Sequence, residues 1–377
     1  MRKSLRVVTA GTLVALLAAT TAAPALAATA DPVQQRLDVL TAQDGVPGAE
    51  AVIQDGHRTR VVRSGAGDLA TGKPFPRNGY YRAGSVTKTF VATVVLQLVA
   101  EGRVRLDAPV ARYLPGLLPD PRITVRQLLQ HTSGLYNYTD DLDRTDPEAL
   151  RHRGADPTEL VAMALKHPAL FPPGTRWSYS NTNFIVAGML AEKVTGRTLT
   201  GLIAQRITRP LGLHDTYLPR RGDEKLPSPH AVGYLPFTGK LVDFSDFDAT
   251  IAWAAGGLVS TPTDLDRFYG ALLGGGLLRP AELAEMQRTV PADLGVPGAR
   301  YGLGLGSVPL SCGVVWGHEG GIIGFTNFVG VGPGARRAAV VLNENPTPAD
   351  TNGHLIATVD AAVCSQAGGP GTVGGGR

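Results

Sequence analysis

The order in which strand and helix patterns follow each other is the feature that most constrains the fold of this chain. Strand patterns occupy two end regions, first at residues 49–53 and 58–62 and then from residue 313 to residue 343. Between them, from about residue 106 to residue 249, the patterns are mostly helical and are broken by Pro-Gly turns. The sequence therefore predicts an α+β fold with one antiparallel sheet built from both ends of the chain and flanked by helices.

The two termini differ in amino-acid composition from the rest of the chain. Arg and Lys residues precede a short stretch of small apolar residues, and Ala25-Leu26-Ala27 then offers a cleavage site. Residues 1–27 are therefore expected to be a signal peptide. Cleavage after Ala30 is the second choice. The apolar stretch is too short to cross a bilayer, and the mature protein is expected to be secreted, with no membrane span. The Gly-rich segment 366–377 is expected to be a disordered tail.

Charge argues against a nucleic-acid or anionic-membrane partner. The chain has 36 basic and 32 acidic residues, a formal net charge of +4. The expected leader contains three of the basic residues and no acidic one, which leaves a net charge of +1 for the remainder. A nearly neutral protein without basic blocks is not suited to electrostatic binding of nucleic acid.

Cys312 and Cys364 are the two cysteines of the chain. An even number of cysteines in an exported protein favours a disulfide bond, which here would close the C-terminal region onto itself. The alternative is a catalytic thiol, but neither cysteine is placed at the start of a helical pattern.

The first candidate for chemistry is Ser85-Val86-Thr87-Lys88. Gly84 and Ser85 precede a helical pattern that ends near Gly102, so Ser85 is placed at a helix start with Lys88 one turn away on the same face. Free N–H groups and the positive end of the helix dipole suit a nucleophile there. The alternative is a capping serine followed by a solvated lysine, since Ser-x-x-Lys also occurs by chance.

The second candidate is Tyr179-Ser180-Asn181, which lies between a Pro-Gly turn and the next helical pattern. Residues two apart in an extended loop can point the same way, so the phenol could exchange a proton with Ser85 and the amide could hold a substrate carbonyl. The alternative is that Asn181 caps the helix and Tyr179 packs in the interior.

The third candidate is His318-Glu319-Gly320 in a Gly-rich strand, where a ligand can approach the backbone closely. The two-residue period of a strand places His318 and Gly320 on one face and Glu319 on the other. His318 could act electrostatically or relay a proton, or it could be a hydrogen-bonded structural histidine.

Other sequence signals argue against a cofactor or a metal. The segment 67–74 resembles a phosphate-binding loop, but Pro74 occupies the place of the Ser or Thr that would bind Mg²⁺. The eight histidines show no metal-ligand spacing, and the Gly-x-Ser-x-Gly elbow of α/β-hydrolases is absent. We therefore expect no cofactor and no metal site.

In this order and spacing, the three motifs resemble the signature of the penicillin-recognising serine hydrolases. The resemblance covers about residues 31–364 and is most similar to the secreted D-alanyl-D-alanine carboxypeptidases with a class C β-lactamase-like fold. It implies a β-lactamase/DD-peptidase-like fold over residues 31–365. An α/β part is expected from about 31–105 and 250–365, and a helical part from about 106–249.

The resemblance also implies roles for individual residues. Ser85 would be the nucleophile, and Lys88 with Tyr179 would move its proton. His318 would complete the charge network of the site. The remaining residues would bind the substrate. Asn181 would bind its amide, Trp253 would form a wall of the cleft, and Gly320 and Gly321 would lie beside it on the strand. The N–H groups of Ser85 and Gly321 would form the oxyanion hole.

This chain departs from the carboxypeptidase pattern where the terminal carboxylate of the substrate is bound. The peptidase usually has threonines at the positions of Glu319 and Gly321, and an arginine near the neutral segment Gly306-Ser307-Val308. An added anion without a basic partner should weaken carboxylate binding by about 1.5–3 kcal/mol for one lost charge-assisted contact. This departure bears on the leaving group and leaves the acyl-enzyme chemistry unchanged.

The sequence therefore predicts a secreted serine D-alanyl-D-alanine carboxypeptidase, which we expect to be monomeric. It would act on peptidoglycan peptides or related small acyl substrates, with β-lactams as acylating ligands. Three alternatives stay open: an esterase or D-amino-acid amidase or aminopeptidase of the same fold, a β-lactamase, and a non-catalytic peptidoglycan-binding module.

Overall fold

The structure is a computed structural model that describes residues 31–365. The expected leader, 1–27, and the expected tail, 366–377, lie outside the described residues. The helices in the described part are α1 (Pro32–Ala42), α2 (Thr87–Ala100), α3 (Val125–Leu129), α4 (Pro147–Arg151), α5 (Pro157–Ala164), α6 (Asn181–Thr195), α7 (Leu199–Ile203), α8 (Arg209–Leu211), α9 (Trp253–Gly256), α10 (Pro262–Leu273), α11 (Pro280–Met286) and α12 (Thr351–Cys364).

Strands of two to eleven residues complete the fold. They are β1 (Gly48–Asp55), β2 (Arg58–Asp68), β3 (Lys73–Pro74), β4 (Tyr81–Arg82), β5 (Tyr234–Phe237), β6 (Lys240–Asp243), β7 (Val259–Ser260), β8 (Val290–Pro291), β9 (Arg300–Tyr301), β10 (Gly306–Leu310), β11 (Gly313–Ile322), β12 (Phe325–Val331) and β13 (Arg337–Leu342).

The main sheet joins the two ends of the chain. Its nine strands run in the order β3-β2-β1-β13-β12-β11-β10-β9-β8, and every neighbouring pair is antiparallel. The N-terminal β1 pairs directly with the C-terminal β13, with Ala51 opposite Val340. The predicted α+β architecture, with a sheet built from both ends, is confirmed.

Helices cover both faces of this sheet, because its central strands are apolar on both sides. In β13, Ala338, Val340 and Leu342 pack into one cluster with α1 and α12. The alternate residues, Ala339 and Val341, pack into a second and larger cluster that includes α2, α6 and α10. The two-residue period of the strand thus separates the two cores.

Helix α2 is the buried centre of the larger cluster. Its side chains from Thr87 to Leu96 and Leu98 are all buried, which is typical of a helix that is apolar on every side. A short 3₁₀ turn, Gly84–Val86, precedes it and carries Ser85. The fold therefore holds the nucleophile candidate at the end of its most enclosed helix.

The segment between the two parts of the sheet is mostly helical, but it contains a two-stranded hairpin that the sequence did not predict. Strands β5 and β6 are joined by Thr238 and Gly239, both with positive φ (46° and 78°). Two central residues with positive φ form the tight turn that best fits a twisted hairpin. A threonine in such a turn gives little sequence signal, which is why the hairpin was missed.

A disulfide bond connects Cys312 to Cys364, as predicted. It links the turn between β10 and β11 to the last residue of α12. Across residues 31–365, none of the helices has the length and hydropathy of a membrane-spanning segment.

Candidate active site

Ser85 and Lys88 are in hydrogen-bond contact at the start of α2. Lys88 is completely buried, and its Nζ lies 2.9 Å from Ser85 Oγ. The same Nζ donates to Asn181 Oδ1 at 2.7 Å and to the carbonyl oxygen of Ala255 at 2.6 Å. Helices α2, α6 and α9 thus each contribute one group to the site.

These contacts suit a neutral Lys88 amine as well as an ammonium. The oxygens of Asn181 and Ala255 only accept hydrogen bonds, so they take two N–H groups. The third direction faces Ser85 Oγ, where a neutral amine would present its lone pair to the hydroxyl proton. Burial holds the pKa of Lys88 well below its usual value, which favours the neutral form. Lys88 can therefore accept the proton of Ser85.

Tyr179 is placed beside this pair. Lys88 Nζ lies 4.8 Å from the centroid of the Tyr179 ring. Burial raises the pKa of Tyr179, and the nearby Ser85 hydroxyl opposes that rise only in part. The phenol consequently keeps its proton near neutral pH and is suited to donate one.

His318 lies next to the site as a neutral side chain. Its Nδ1 contacts the carbonyl oxygen of Glu319, which can only accept, so Nδ1 carries the hydrogen. Its Nε2 then accepts from the Tyr301 hydroxyl at 2.7 Å. Burial lowers the pKa of His318 to about 3. His318 therefore contributes to the site through Tyr301 and holds no positive charge at neutral pH.

The sequence did not single out three aromatic side chains that enclose Tyr179. The ring of His131 lies 4.3 Å from that of Tyr179, and the rings of Trp177 and Tyr301 lie within 6.5 Å of it. His131 is completely buried and has a positive φ of 58°. A histidine is more tolerant of positive φ than most residues, but neither this nor the aromatic cluster has a sequence signal apart from the family motifs.

His131 also connects the Tyr179 loop to α6. Its Nδ1 accepts from the backbone N–H of Ser180 at 3.2 Å and from the side-chain amide of Asn183 at 3.1 Å. Burial holds the pKa of His131 well below its usual value, so the ring is neutral. These bonds fix the loop that carries Tyr179.

Gly320 and Gly321, two neighbouring glycines of β11, have different surroundings. A Cβ atom on Gly320 would lie 2.2 Å from the carbonyl oxygen of Ala83, so Gly320 allows the strand to pack against the start of α2. Gly321 is exposed and borders the open space beside Ser85 on both sides. This position is compatible with the predicted oxyanion role of its N–H group, which stays a prediction.

Trp253 is not placed at the cleft. It is 8% exposed, and its ring packs against Gly188 of α6. It borders neither of the two cavities described below, whereas Trp177 borders one of them. The predicted substrate-binding role of Trp253 finds no support in this position, because its side chain fills the interior of the helical part.

Two cavities meet at Ser85, and Asn181 and Gly321 border both. The first, called here the Tyr179 cavity, has a volume of about 400 Å³ and is bordered by Trp177, Tyr179, Asp293, Tyr301, His318 and Glu319, among others. The second, called here the Ile322 cavity, has a volume of about 260 Å³ and is bordered mainly by apolar residues, including Leu142, Leu150, Phe237, Phe247, Ile322 and Ile323.

Asn181 is held in place before any substrate binds. Its Oδ1 accepts from Lys88, and its Nδ2 donates to Thr139 Oγ1 at 3.2 Å. Its position between the two cavities agrees with the predicted contact to a substrate amide, which stays a prediction. Within residues 31–365, no cluster of three His, Cys, Asp or Glu side chains is arranged to hold a metal ion.

The proteins that this chain resembles in sequence and in structure are related enzymes and penicillin-binding proteins. The D-stereospecific amidohydrolase from Streptomyces sp. has a solved structure that matches with a TM-score of 0.81 and 40% identity, over 89% of this chain and 99% of that chain. The D-aminopeptidase of Cereibacter sphaeroides is 30% identical over 78% of this chain and 56% of its own length. Penicillin-binding protein 4 of Amycolatopsis lactamdurans is 35% identical over 48% of each chain.

The chain spans about half the length of these curated relatives, so their activities are not carried over as established. The family model described as Beta-lactamase matches residues 33–362, nearly all of the described part. The match includes the Ser85, Tyr179 and His318 motifs that the fold brings together at one cleft. The chain therefore belongs to the Beta-lactamase family of serine hydrolases.

Proposed function

We propose that this protein is an acyl-serine amidase that hydrolyses amides of D-amino acids or of peptides with D residues, and that it does not require a free carboxylate on the departing group. The observation that carries the proposal is the charge of the Tyr179 cavity. Among the described residues that border it, the charged members Asp293 and Glu319 are both acidic, and none is Lys or Arg.

The Tyr179 cavity is assigned to the departing group by the chemistry of proton transfer. In amide cleavage the leaving nitrogen must receive a proton, and the donor must lie on its side of the scissile bond. Tyr179 keeps its proton and borders only this cavity, not the Ile322 cavity. The apolar Ile322 cavity is then left for the acyl side chain of the substrate.

The proposed reaction begins with transfer of the Ser85 proton to the neutral Lys88 amine. Ser85 Oγ bonds to the carbonyl carbon, and the resulting oxyanion is stabilised by the N–H groups of Ser85 and Gly321. Tyr179 protonates the leaving nitrogen as the C–N bond breaks, and it recovers a proton from the Lys88 ammonium. Water then attacks the acyl-serine, and the same groups return the proton to Ser85 Oγ as the acid leaves.

The carboxypeptidase expected from the sequence would use the same steps but would bind the terminal carboxylate of D-Ala in the Tyr179 cavity. A carboxylate there would lie near Asp293 and Glu319 without a basic partner among the described residues, which is unfavourable. The relatives named D-stereospecific amidohydrolase and D-aminopeptidase also support the amidase. We retain β-lactams as acylating ligands, since they need only the acylation step.

A substrate panel tests the proposal. The purified protein is first labelled with a fluorescent penicillin and then given D-phenylalanine amide, its L enantiomer, a D-Ala-D-Ala peptide and a short-chain ester. We expect labelling and faster turnover of the D amide than of the other three. The Ser85→Ala variant, checked for folding by its melting temperature, should lose both.

The other outcomes identify the alternatives. Faster release of D-Ala than of ammonia would favour the carboxypeptidase, and turnover of the ester alone would favour an esterase. Rapid hydrolysis of the penicillin would indicate a β-lactamase. Neither labelling nor turnover would favour a binding module.

We further propose that the enzyme is exported and monomeric. Export rests on the leader-like residues 1–27, and the disulfide bond agrees with an oxidising compartment. N-terminal sequencing of protein from the culture medium and size-exclusion chromatography test the two proposals.

A further inference from the structure

Glu319 is a charged departure from the family motif that borders the cleft. The residues on either side of it, His318 and Gly320, are buried, whereas Glu319 is exposed and borders the Tyr179 cavity. Its carboxylate makes no salt bridge and no hydrogen bond with any side chain of residues 31–365. An ionised carboxylate can only accept hydrogen bonds, and this one has unused capacity to do so.

The position of Glu319 along β11 places this capacity beside the departing group. Glu319 and Gly321 are alternate residues on the cleft side of the strand, so their Cα atoms are separated by about 7 Å. Gly321 borders Ser85, where the scissile bond is expected. A side chain as long as Glu can therefore contact a group a few bonds beyond the leaving nitrogen.

The rest of the Tyr179 cavity is also suited to a cation. Asp293 adds a second carboxylate, and the aromatic residues Trp177 and Tyr301 also border the cavity. Aromatic rings attract cations. Asn352 borders the same cavity, and its Oδ1 is buried without a hydrogen-bond partner in the described part of the chain. Acceptors and aromatic rings are the groups that bind an ammonium.

We propose that Glu319 forms a subsite for an ammonium group on the departing part of the substrate. The preferred substrate is then an amide whose leaving amine carries a second, protonated amino group two or three carbons from the scissile nitrogen. The inference rests on the proposed amidase function, because it assigns the Tyr179 cavity to the leaving group. Desolvation by the surrounding walls of the cleft raises the pKa of Glu319, and a bound ammonium would keep the carboxylate ionised.

Three amides of D-phenylalanine test the subsite, because they share one acyl group and differ in the leaving amine. The amines are 1,2-diaminoethane, which carries the ammonium, n-propylamine, its neutral isostere, and glycine, which carries a carboxylate. We expect kcat/KM for the diaminoethane amide to exceed that for the propylamide by about 10-fold or more, as for a charge-assisted hydrogen bond. The glycine amide should be the poorest of the three.

The Glu319→Gln variant separates the role of the carboxylate from the intrinsic reactivity of the amides. In this variant the preference for the diaminoethane amide over the propylamide should fall to about 3-fold or less. Because this preference is a ratio of two rates in one protein, a general change in activity cancels. Glu159→Gln removes an exposed carboxylate from α5, outside both cavities, and should leave the preference unchanged.

A second measurement uses small competitors of the propylamide. n-Butylamine, which is protonated at neutral pH, should inhibit the parent more strongly than the neutral n-butanol does, and Glu319→Gln should remove the difference. Equal preference in the parent and in Glu319→Gln would overturn the subsite while leaving the amidase function intact. Failure of all three amides, together with Ser85-dependent penicillin labelling, would overturn the proposed function itself.

Discussion

Lys88 has a full set of hydrogen bonds in either protonation state, and this decides how it can act. Its Nζ contacts two carbonyl-type oxygens and one hydroxyl, so only the contact with Ser85 can reverse its direction. The absence of a carboxylate among the bonded partners of Nζ explains why burial lowers the pKa of Lys88 without opposition. The residue is arranged as a base and not as one half of an ion pair.

Replacement of Lys88 by arginine tests this role. An arginine keeps the positive charge but cannot give up its proton, so the Lys88→Arg variant should be acylated about 10²- to 10⁴-fold more slowly. The measurement is the rate of labelling by a fluorescent penicillin. Lys193→Arg, on the outer part of α6, is the matched control and should label at the parent rate. An unchanged rate in Lys88→Arg would show that the base is another group.

His318 makes the stability of the protein depend on pH. The pKa of His318 is lowered to about 3 in the folded protein, below the usual value of 6.5 in an unfolded chain. Between these values the unfolded state binds a proton that the folded state does not, so stability is complete above about pH 6.5 and falls as the pH is lowered towards 3. At pH 5 the loss from this residue is about 2 kcal/mol.

The His318→Asn variant should therefore show a shallower loss of stability in acid. Urea unfolding of the parent and the variant at pH 7 and at pH 5 measures the difference between the two slopes. A parallel loss in both proteins would contradict the titration of His318. His131 is also neutral and buried, so the variant should retain part of the pH dependence.

At the scale of elements, the site depends on close contact between the start of α2 and β11. Gly84 has a positive φ of 55°, and a Cβ atom there would lie 2.8–2.9 Å from backbone atoms of Gly321. A side chain at Gly84 would therefore separate the strand from the turn that carries Ser85. The contact sets the distance between the nucleophile and the proposed oxyanion hole.

The Gly84→Ala variant tests this contact, with Gly102→Ala as its control. Gly102 follows the other end of α2, also has a positive φ (71°), and has open space around its Cα. We expect both variants to lose about 1 kcal/mol from the positive φ. Only Gly84→Ala should also slow acylation, by about 10-fold or more, because it displaces Gly321. Equal acylation rates in the two variants would contradict the contact.

How well an element could be predicted depended on whether its pattern is local. The helical spacing after Ser85 and the strand patterns near residues 49–62 and 313–343 are local, and the structure has α2, β1, β2 and β11 to β13 there. The strands β8 and β9 have two residues each and pair only with each other and with β10, so they are too short to leave a period to detect.

Prediction of the site residues was limited in the same way, to those that lie in local motifs. The motifs identified Ser85, Lys88 and Tyr179, which the fold brings together. The positions of Trp253 and Trp177 depend instead on packing between α6, α9 and the loop before Tyr179, which no spacing along the chain encodes. The hydrogen bond that makes Tyr301 the partner of His318 likewise joins two strands that are not adjacent in the sheet order.

At the scale of the whole molecule, the N-terminal and C-terminal parts of the described chain pack and pair with each other. Helices α1 and α12 pack together on one face of the sheet, and β1 pairs with β13 beneath them. The disulfide between Cys312 and Cys364 fixes α12 to the β10–β11 turn across a separation of 52 residues. It therefore reinforces the closure of the sheet by the C-terminal part of the chain.

Removal of the disulfide should lower stability without affecting catalysis. Chain entropy predicts a loss of about 4 kcal/mol for a loop of this length, which corresponds to a fall in melting temperature of roughly 6 °C for a protein of this size. In β11, His318 is five residues from Gly313, or about 16 Å along the strand, so the geometry at Ser85 should be preserved.

The measurement compares the Cys312→Ser/Cys364→Ser double variant with the parent, by thermal unfolding and by penicillin labelling at 25 °C. Treatment of the parent with a reductant should reproduce the lower melting temperature, and it should leave the double variant unchanged. Loss of labelling at an unchanged melting temperature would instead place the cysteines in the chemistry of the site. An unchanged melting temperature with normal labelling would mean that α12 is held by its apolar contacts with α1 and the sheet alone.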